Sequence, residues 1–225
     1  MVVWAGTPLG QSLARALAAR GCDLLLCDEE GECLLALREE LAGGTVQVQL
    51  FQGDMGRPEH RRELLHFLRL AAAKPDILCF QAVRHLSERR LGAPPAEVRS
   101  LLEANLLALD DLLRGGLLGA MAAEGNGYIL AALRDGRNGA GAVDAVAAEG
   151  LRAYLAALAE ELRDGGVGIT VHLLPSGQEH LLARPPLRPS PQEGRRCAEQ
   201  ALGALFARKP VSTPRRRRPR WLGGA

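Results

Sequence analysis

Short apolar runs alternate with longer stretches whose leucines recur every three or four positions, along almost the whole chain. The short runs, at residues 2–4, 24–27, 45–51, 76–80, 127–133 and 167–174, predict strands that are buried or, at 45–51, alternate in and out. The leucine-periodic stretches predict helices from about residue 13 to 20 and over 29–41, 58–73, 96–124, 143–163 and 192–207. Gly115-Gly116 falls inside the longest of these and predicts a break there. Six strands alternating with helices imply right-handed crossovers, hence an α/β fold: a Rossmann-like, doubly wound parallel sheet in a single domain. The domain is expected over residues 1–209, followed by a basic tail at 210–225. Ligands of such sheets bind at the carboxyl ends of the strands. The polar or glycine-rich stretches at 6–12, 28, 54, 81–83, 134–141 and 175–177 all follow predicted strands.

The first of these stretches carries the strongest chemical pattern. The run Val2-Val3-Trp4-Ala5-Gly6-Thr7-Pro8-Leu9-Gly10-Gln11-Ser12 reads as strand, glycine turn and helix start. Such a unit aims helix N-terminal N–H groups at whatever sits above it, usually a phosphate. Gly6 allows a sharp turn, Gly10 removes a Cβ where a pyrophosphate would approach, and Ser12 is small enough to pack close to the strand. A plain strand–helix loop is the competing reading. Asp28 ends the second strand about 20 residues further on, where a carboxylate can bind the hydroxyls of an adenine ribose and repel a 2′-phosphate. That favours NAD over NADP; the alternative for Asp28 is a strand end or a helix cap before Glu29-Glu30.

Composition narrows the class. Of 225 residues 47% are hydrophobic and the net charge is +2, which describes a globular chain and not a broadly nucleic-acid-binding one. The five cysteines form no Cys-x-x-Cys pair, and Cys22, Cys27 and Cys79 are expected as buried free thiols in a reducing cytoplasm. No signal peptide precedes the first strand and no apolar run has membrane-spanning length, so a cytoplasmic protein is expected. The five histidines lack metal-ligand spacing, and no metal is expected. Arg215–Arg218 with Trp221 could contact phosphates, but without an accompanying basic stripe nucleic acid is not the expected partner. Only two lysines exist, Lys74 and Lys209.

The order of these landmarks resembles the short-chain dehydrogenase/reductase family over residues 2–178. The family's Thr-Gly-x-x-x-Gly-x-Gly turn falls on Ala5-Gly6-Thr7-Pro8-Leu9-Gly10-Gln11-Ser12, so the resemblance implies cofactor contacts from Gly6, Thr7, Leu9 and Gly10. Its adenine-capping acid corresponds to Asp54, and its Asn-Asn-Ala-Gly motif to Phe80-Gln81-Ala82-Val83, where only Ala82 matches. Its structural asparagine corresponds to Asn105, and its Pro-Gly after the sixth strand to Pro175-Ser176-Gly177.

The same resemblance exposes what is missing. The family's chemistry uses a serine after the fifth strand and a tyrosine and lysine one turn apart on the next helix. Leu133 and Arg134 occupy the serine positions, and no serine lies between Ser100 and Ser176. The tyrosine and lysine positions fall near Asp144 and Ala148, and no lysine lies between Lys74 and Lys209. Val83 stands where the family keeps glycine beside the adenine, so any NAD binding is expected to be weak. Two readings follow: a catalytically degenerate binding or subunit protein, or a divergent NAD-dependent oxidoreductase of a carbonyl or alcohol using Asn105, Asp144 and Arg134. The resemblance also implies self-association, or association with an active relative, through helices 96–124 and 143–163.

Overall fold

The computed structural model describes residues 1–83, 94–135, 142–183 and 191–213. Seven parallel strands form one sheet in the order β3-β2-β1-β4-β5-β6-β7. They are β1 (Val2–Val3), β2 (Leu24–Asp28), β3 (Val48–Gln52), β4 (Ile77–Gln81), β5 (Gly127–Arg134), β6 (Val167–Leu174) and β7 (Val211–Ser212). The helices α1 (Pro8–Ala18), α2 (Gly31–Leu41) and α8 (Pro191–Phe206) bury one face. The other face is covered by α3 (Pro58–Leu70), by α4 (Pro95–Leu102), α5 (Ala108–Leu112) and α6 (Leu118–Ala123) in series, and by α7 (Ala142–Glu161). The fold expected from the sequence is therefore the one observed.

β1, β2, β4 and β6 are buried along their full lengths, as all-parallel strands covered on both faces must be. Leu151, Leu155 and Leu158 line the inner face of α7 at helical spacing, each at most 3% exposed. Among the described residues no helix is long and apolar enough to cross a membrane.

Three details depart from the sequence expectation. The seventh strand is only two residues long, too short to leave a periodic signal, and it carries the sheet past residue 209 to Ser212. Trp4 does not extend the first strand: its φ of 62° turns the chain left-handed immediately after Val3. The helix expected over 96–124 is interrupted twice by turns of the wider π type, Glu103–Leu107 and Leu113–Leu117. Gly116, at φ 144°, lies in the second, at the break that Gly115-Gly116 predicts. Leu65 of α3 fills the space beside Gly115, where a Cβ would meet its Cδ1 at 2.3 Å.

Candidate functional site

The carboxyl edge of the sheet gathers the turn after β1, the ends of β2, β4 and β5, and the start of α7. The turn after β1 is knit together from inside. Thr7 caps α1: its Oγ1 accepts from the Gly10 N–H at 3.0 Å and donates to Gln81 Oε1 at 2.6 Å. The Gln81 carboxamide in turn donates to the carbonyls of Val3 and Trp4, both at 3.1 Å. Gln81 is wholly buried, so one amide side chain at the end of β4 fixes both the end of β1 and the cap of α1. The sequence hides this role. At a position where the resemblance expects asparagine, a glutamine supplies the same carboxamide on a longer stem.

Gly10 proves necessary for a reason other than the one the sequence suggests. A Cβ there would lie 2.4 Å from the Trp4 carbonyl oxygen and 2.9 Å from the Ala5 Cα. Its missing side chain faces inward, against the end of β1, and not outward toward a pyrophosphate. Ser12 packs not on the strand but on α8, where a Cβ on Gly194 would come within 2.6 Å of its Oγ. Leu9 is fully buried in the apolar cluster that also holds Leu181 and Leu182.

Asp28 stands at the end of β2, 1% exposed. It accepts from the Gly6 N–H at 2.9 Å and from the Glu30 N–H at 3.2 Å. The carboxylate thus braces the turn directly, and Gly6 is needed there because a Cβ would approach its Oδ2 to 3.0 Å. Of the amides opening α1, Gly10 and Gln11 both donate to Thr7, and Pro8 has none. Leu9 is buried, so what the turn offers an anion is the positive end of α1. The residues present therefore fit a dinucleotide through few donors.

Asp54 follows β3 and is 8% exposed. Its Oδ1 accepts from the Gly56 N–H at 2.8 Å, its own N–H donates to His60 Nδ1 at 2.9 Å, and Arg57 lies 3.8 Å from Oδ2. Ala82 and Val83 leave β4 half-buried and pack against the α3–α7 side of the core. Asn105 is 6% exposed and sits at the centre of the first π turn.

The reaction end differs. Arg134 closes β5 with one guanidinium nitrogen 3.8 Å from Glu179 Oε1. Glu179 begins a short 3-10 turn after β6 and is itself held by the Gly177 N–H at 2.7 Å. Asp144 lies half-buried in the first turn of α7, where an acidic side chain complements the helix dipole. Neither tyrosine reaches this edge. Tyr128 stands near the amino end of β5 against Phe206 and Arg208. Tyr154 donates to Asp110 Oδ1 at 2.6 Å between α7 and α5; burial, with that bond, pushes its hydroxyl up to about 12. Most of the polar loop after β5, the proline-rich stretch at 184–190 and the arginine tail lie outside the described residues.

Two further points concern the expected thiols and metals. Burial pushes Cys27, Cys79 and Cys197 up to about 12, so all three are inert thiols. Cys22 and Cys33 are half-buried, so Cys22 is more open than its place beside a strand suggests. Among the described residues no group of three or more histidine, cysteine or acidic side chains could hold a metal ion.

No family model and no curated protein matches the sequence. Solved structures do match. A bulky-bulky ketone specific alcohol dehydrogenase from Comamonas testosteroni superposes with a TM-score of 0.83 at 18% identity, over 98% of this chain and 88% of that one. A short-chain dehydrogenase from Sphingobium yanoikuyae in complex with NADPH gives 0.82 at 21% identity, over 96% and 87%. A metagenomic short-chain oxidoreductase in complex with NADP gives 0.75 at 22% identity, over 94% and 93%. At these identities the likeness is one of fold.

Proposed function

We propose that the chain is a short-chain dehydrogenase/reductase-like protein that keeps the nucleotide turn but not the reaction, and acts by binding, as a regulatory or subunit protein. Arg134 carries this reading. It occupies the end of β5 where an orienting hydroxyl is needed, and it leans on Glu179. No lysine lies between Lys74 and Lys209 to tune a proton donor on α7. A positioned general acid is worth roughly 10²–10⁴ in rate, so losing donor, tuner and orienting hydroxyl together leaves little carbonyl reduction. A bound nicotinamide dinucleotide would supply hydride chemistry. This chain would hold its pyrophosphate against the positive end of α1 and its adenine half beside Asp28 and Asp54.

Two of the matched structures carry NADPH or NADP. Our preference for NADH, held weakly, rests on Asp28, whose carboxylate at the end of β2 would repel a 2′-phosphate. A divergent oxidoreductase using Asp144 and Arg134 is the alternative, and the approach of Glu179 to Arg134 weighs against it.

Calorimetric titration with NADH and NADPH tests the cofactor half, with Asp28→Ala as control once its fold is verified. Weak NADH binding lost in the control is expected; tighter NADPH binding would overturn the preference. For partners, Val146, Gly150, Ala153 and Ala157 form an exposed small-residue stripe along α7, with Leu107 exposed on the first π turn. Docking of this face on a second copy or on an active relative would be broken by Ala153→Glu, read by sedimentation.

A further inference from the structure

Arg61 of α3 is 2% exposed, the one arginine among the buried residues of the described chain. Its guanidinium meets three separate elements. Nη1 donates to the Met55 carbonyl at 2.9 Å, in the turn that carries Asp54. Nη2 donates to Glu103 Oε2 at 3.0 Å, the residue that opens the π turn centred on Asn105. Nε and Nη2 both reach Asp111 Oδ2, at 2.8 and 2.7 Å, two residues before the second π turn.

Such a group is costly to bury, and an apolar side chain of like size often serves stability as well or better. Its geometry is what an apolar side chain could not copy. A π turn is a one-residue insertion in an α-helix, and an unrestrained helix would anneal it away. Annealing would rotate the residues beyond it by about 100° relative to those before it. Carboxylates at Glu103 and Asp111, clamped on one planar fork, hold the inserted residue in place from both sides of Asn105.

We propose that Arg61 is a positioning residue that locks the Asp54 turn and the Asn105 turn into one unit, so that a change at either is felt at the other. The fork is rigid, and its bonds end on three different elements. A shift of the Asp54 turn therefore pulls on the same guanidinium that fixes the π turn. The device goes beyond the proposed function and needs no bound nucleotide, so its test stands or falls separately.

The experiment is a cycle of Asp54→Ala and Asn105→Ala, single and combined, in the wild-type and in the Arg61→Met background, read by thermal unfolding. The expected result is that the two changes are non-additive by about 3 °C with Arg61 present and add within about 1 °C without it. Additivity in both backgrounds, or equal non-additivity in both, overturns the proposal. Should Arg61→Met not fold, Glu103→Gln, which keeps the shape and removes one charge of the clamp, takes its place with the same two outcomes. Amide hydrogen exchange supplies the readout that a purely structural role would not give. Amides 103–107 should exchange at least about tenfold faster in the variant while those of β5 and β6 are unchanged. A uniform rise along the chain would mean Arg61 only stabilises the fold and would refute the proposal.

Discussion

The two ends of the carboxyl edge are built on different principles. At the β1 turn Thr7, Gln81 and Asp28 are buried and hydrogen-bonded within the turn, and Gly10 leaves no room for a Cβ. At the β5–α7 end, Arg134 and Asp144 are partly exposed polar groups, and Arg134 approaches Glu179 at 3.8 Å. The first end is part of the core, so it persists because the fold needs it. At the second end the Arg134 ion pair is long and partly solvated, and contributes little to the fold. A nucleotide turn in a chain of this fold is thus evidence of architecture first and of a cofactor second.

The comparison breaks most readily at Gly10. Gly10→Ala should cost about 3 kcal/mol, because the new methyl meets main-chain atoms that cannot swing aside. Gly150→Ala, on the open face of α7, should stabilise by up to about 1 kcal/mol. Denaturant unfolding of both variants checks the pair. A change of similar size comes from pH. Burial lowers His172 from 6.5 to about 4, with Ser212 and Cys197 at its two ring nitrogens. Between those values the unfolded chain binds a proton that the folded chain refuses. Stability should therefore fall by about 3 kcal/mol as pH drops from 6.5 toward 4, and His172→Gln should remove that slope.

Next comes Gln81→Leu, expected to cost about 2 kcal/mol by removing the buried carboxamide's bonds to the Thr7 hydroxyl and to the Val3 and Trp4 carbonyls. The smallest effect belongs to the other end: Arg134→Ala should change stability by less than about 1 kcal/mol, since its ion pair is long and partly solvated. An Arg134 variant as damaging as Gln81→Leu would erase the contrast between the two ends.

The alternation of strands and helices and the break at Gly115-Gly116 are legible in the sequence because each rests on periodicity or on local turn chemistry. What escapes it depends on tertiary context. The left-handed Trp4 has no local signal, since tryptophan does not favour that conformation. Arg61 sits in the polar run Pro-Glu-His-Arg-Arg-Glu, where an arginine reads as solvated until α5 and the first π turn close over it. Spacing singles out Asp28 as a candidate ribose acid, whereas its bond to the Gly6 N–H follows from the turn's three-dimensional path.

The proposal that this fold is kept without its reaction is tested most directly by NADH oxidation by the purified wild-type chain with a panel of aldehydes and ketones. No turnover above the uncatalysed rate is expected, even where calorimetry detects NADH. Turnover that is abolished by Asp144→Asn or Arg134→Ala would contradict the account and make this edge a working active site of a new design.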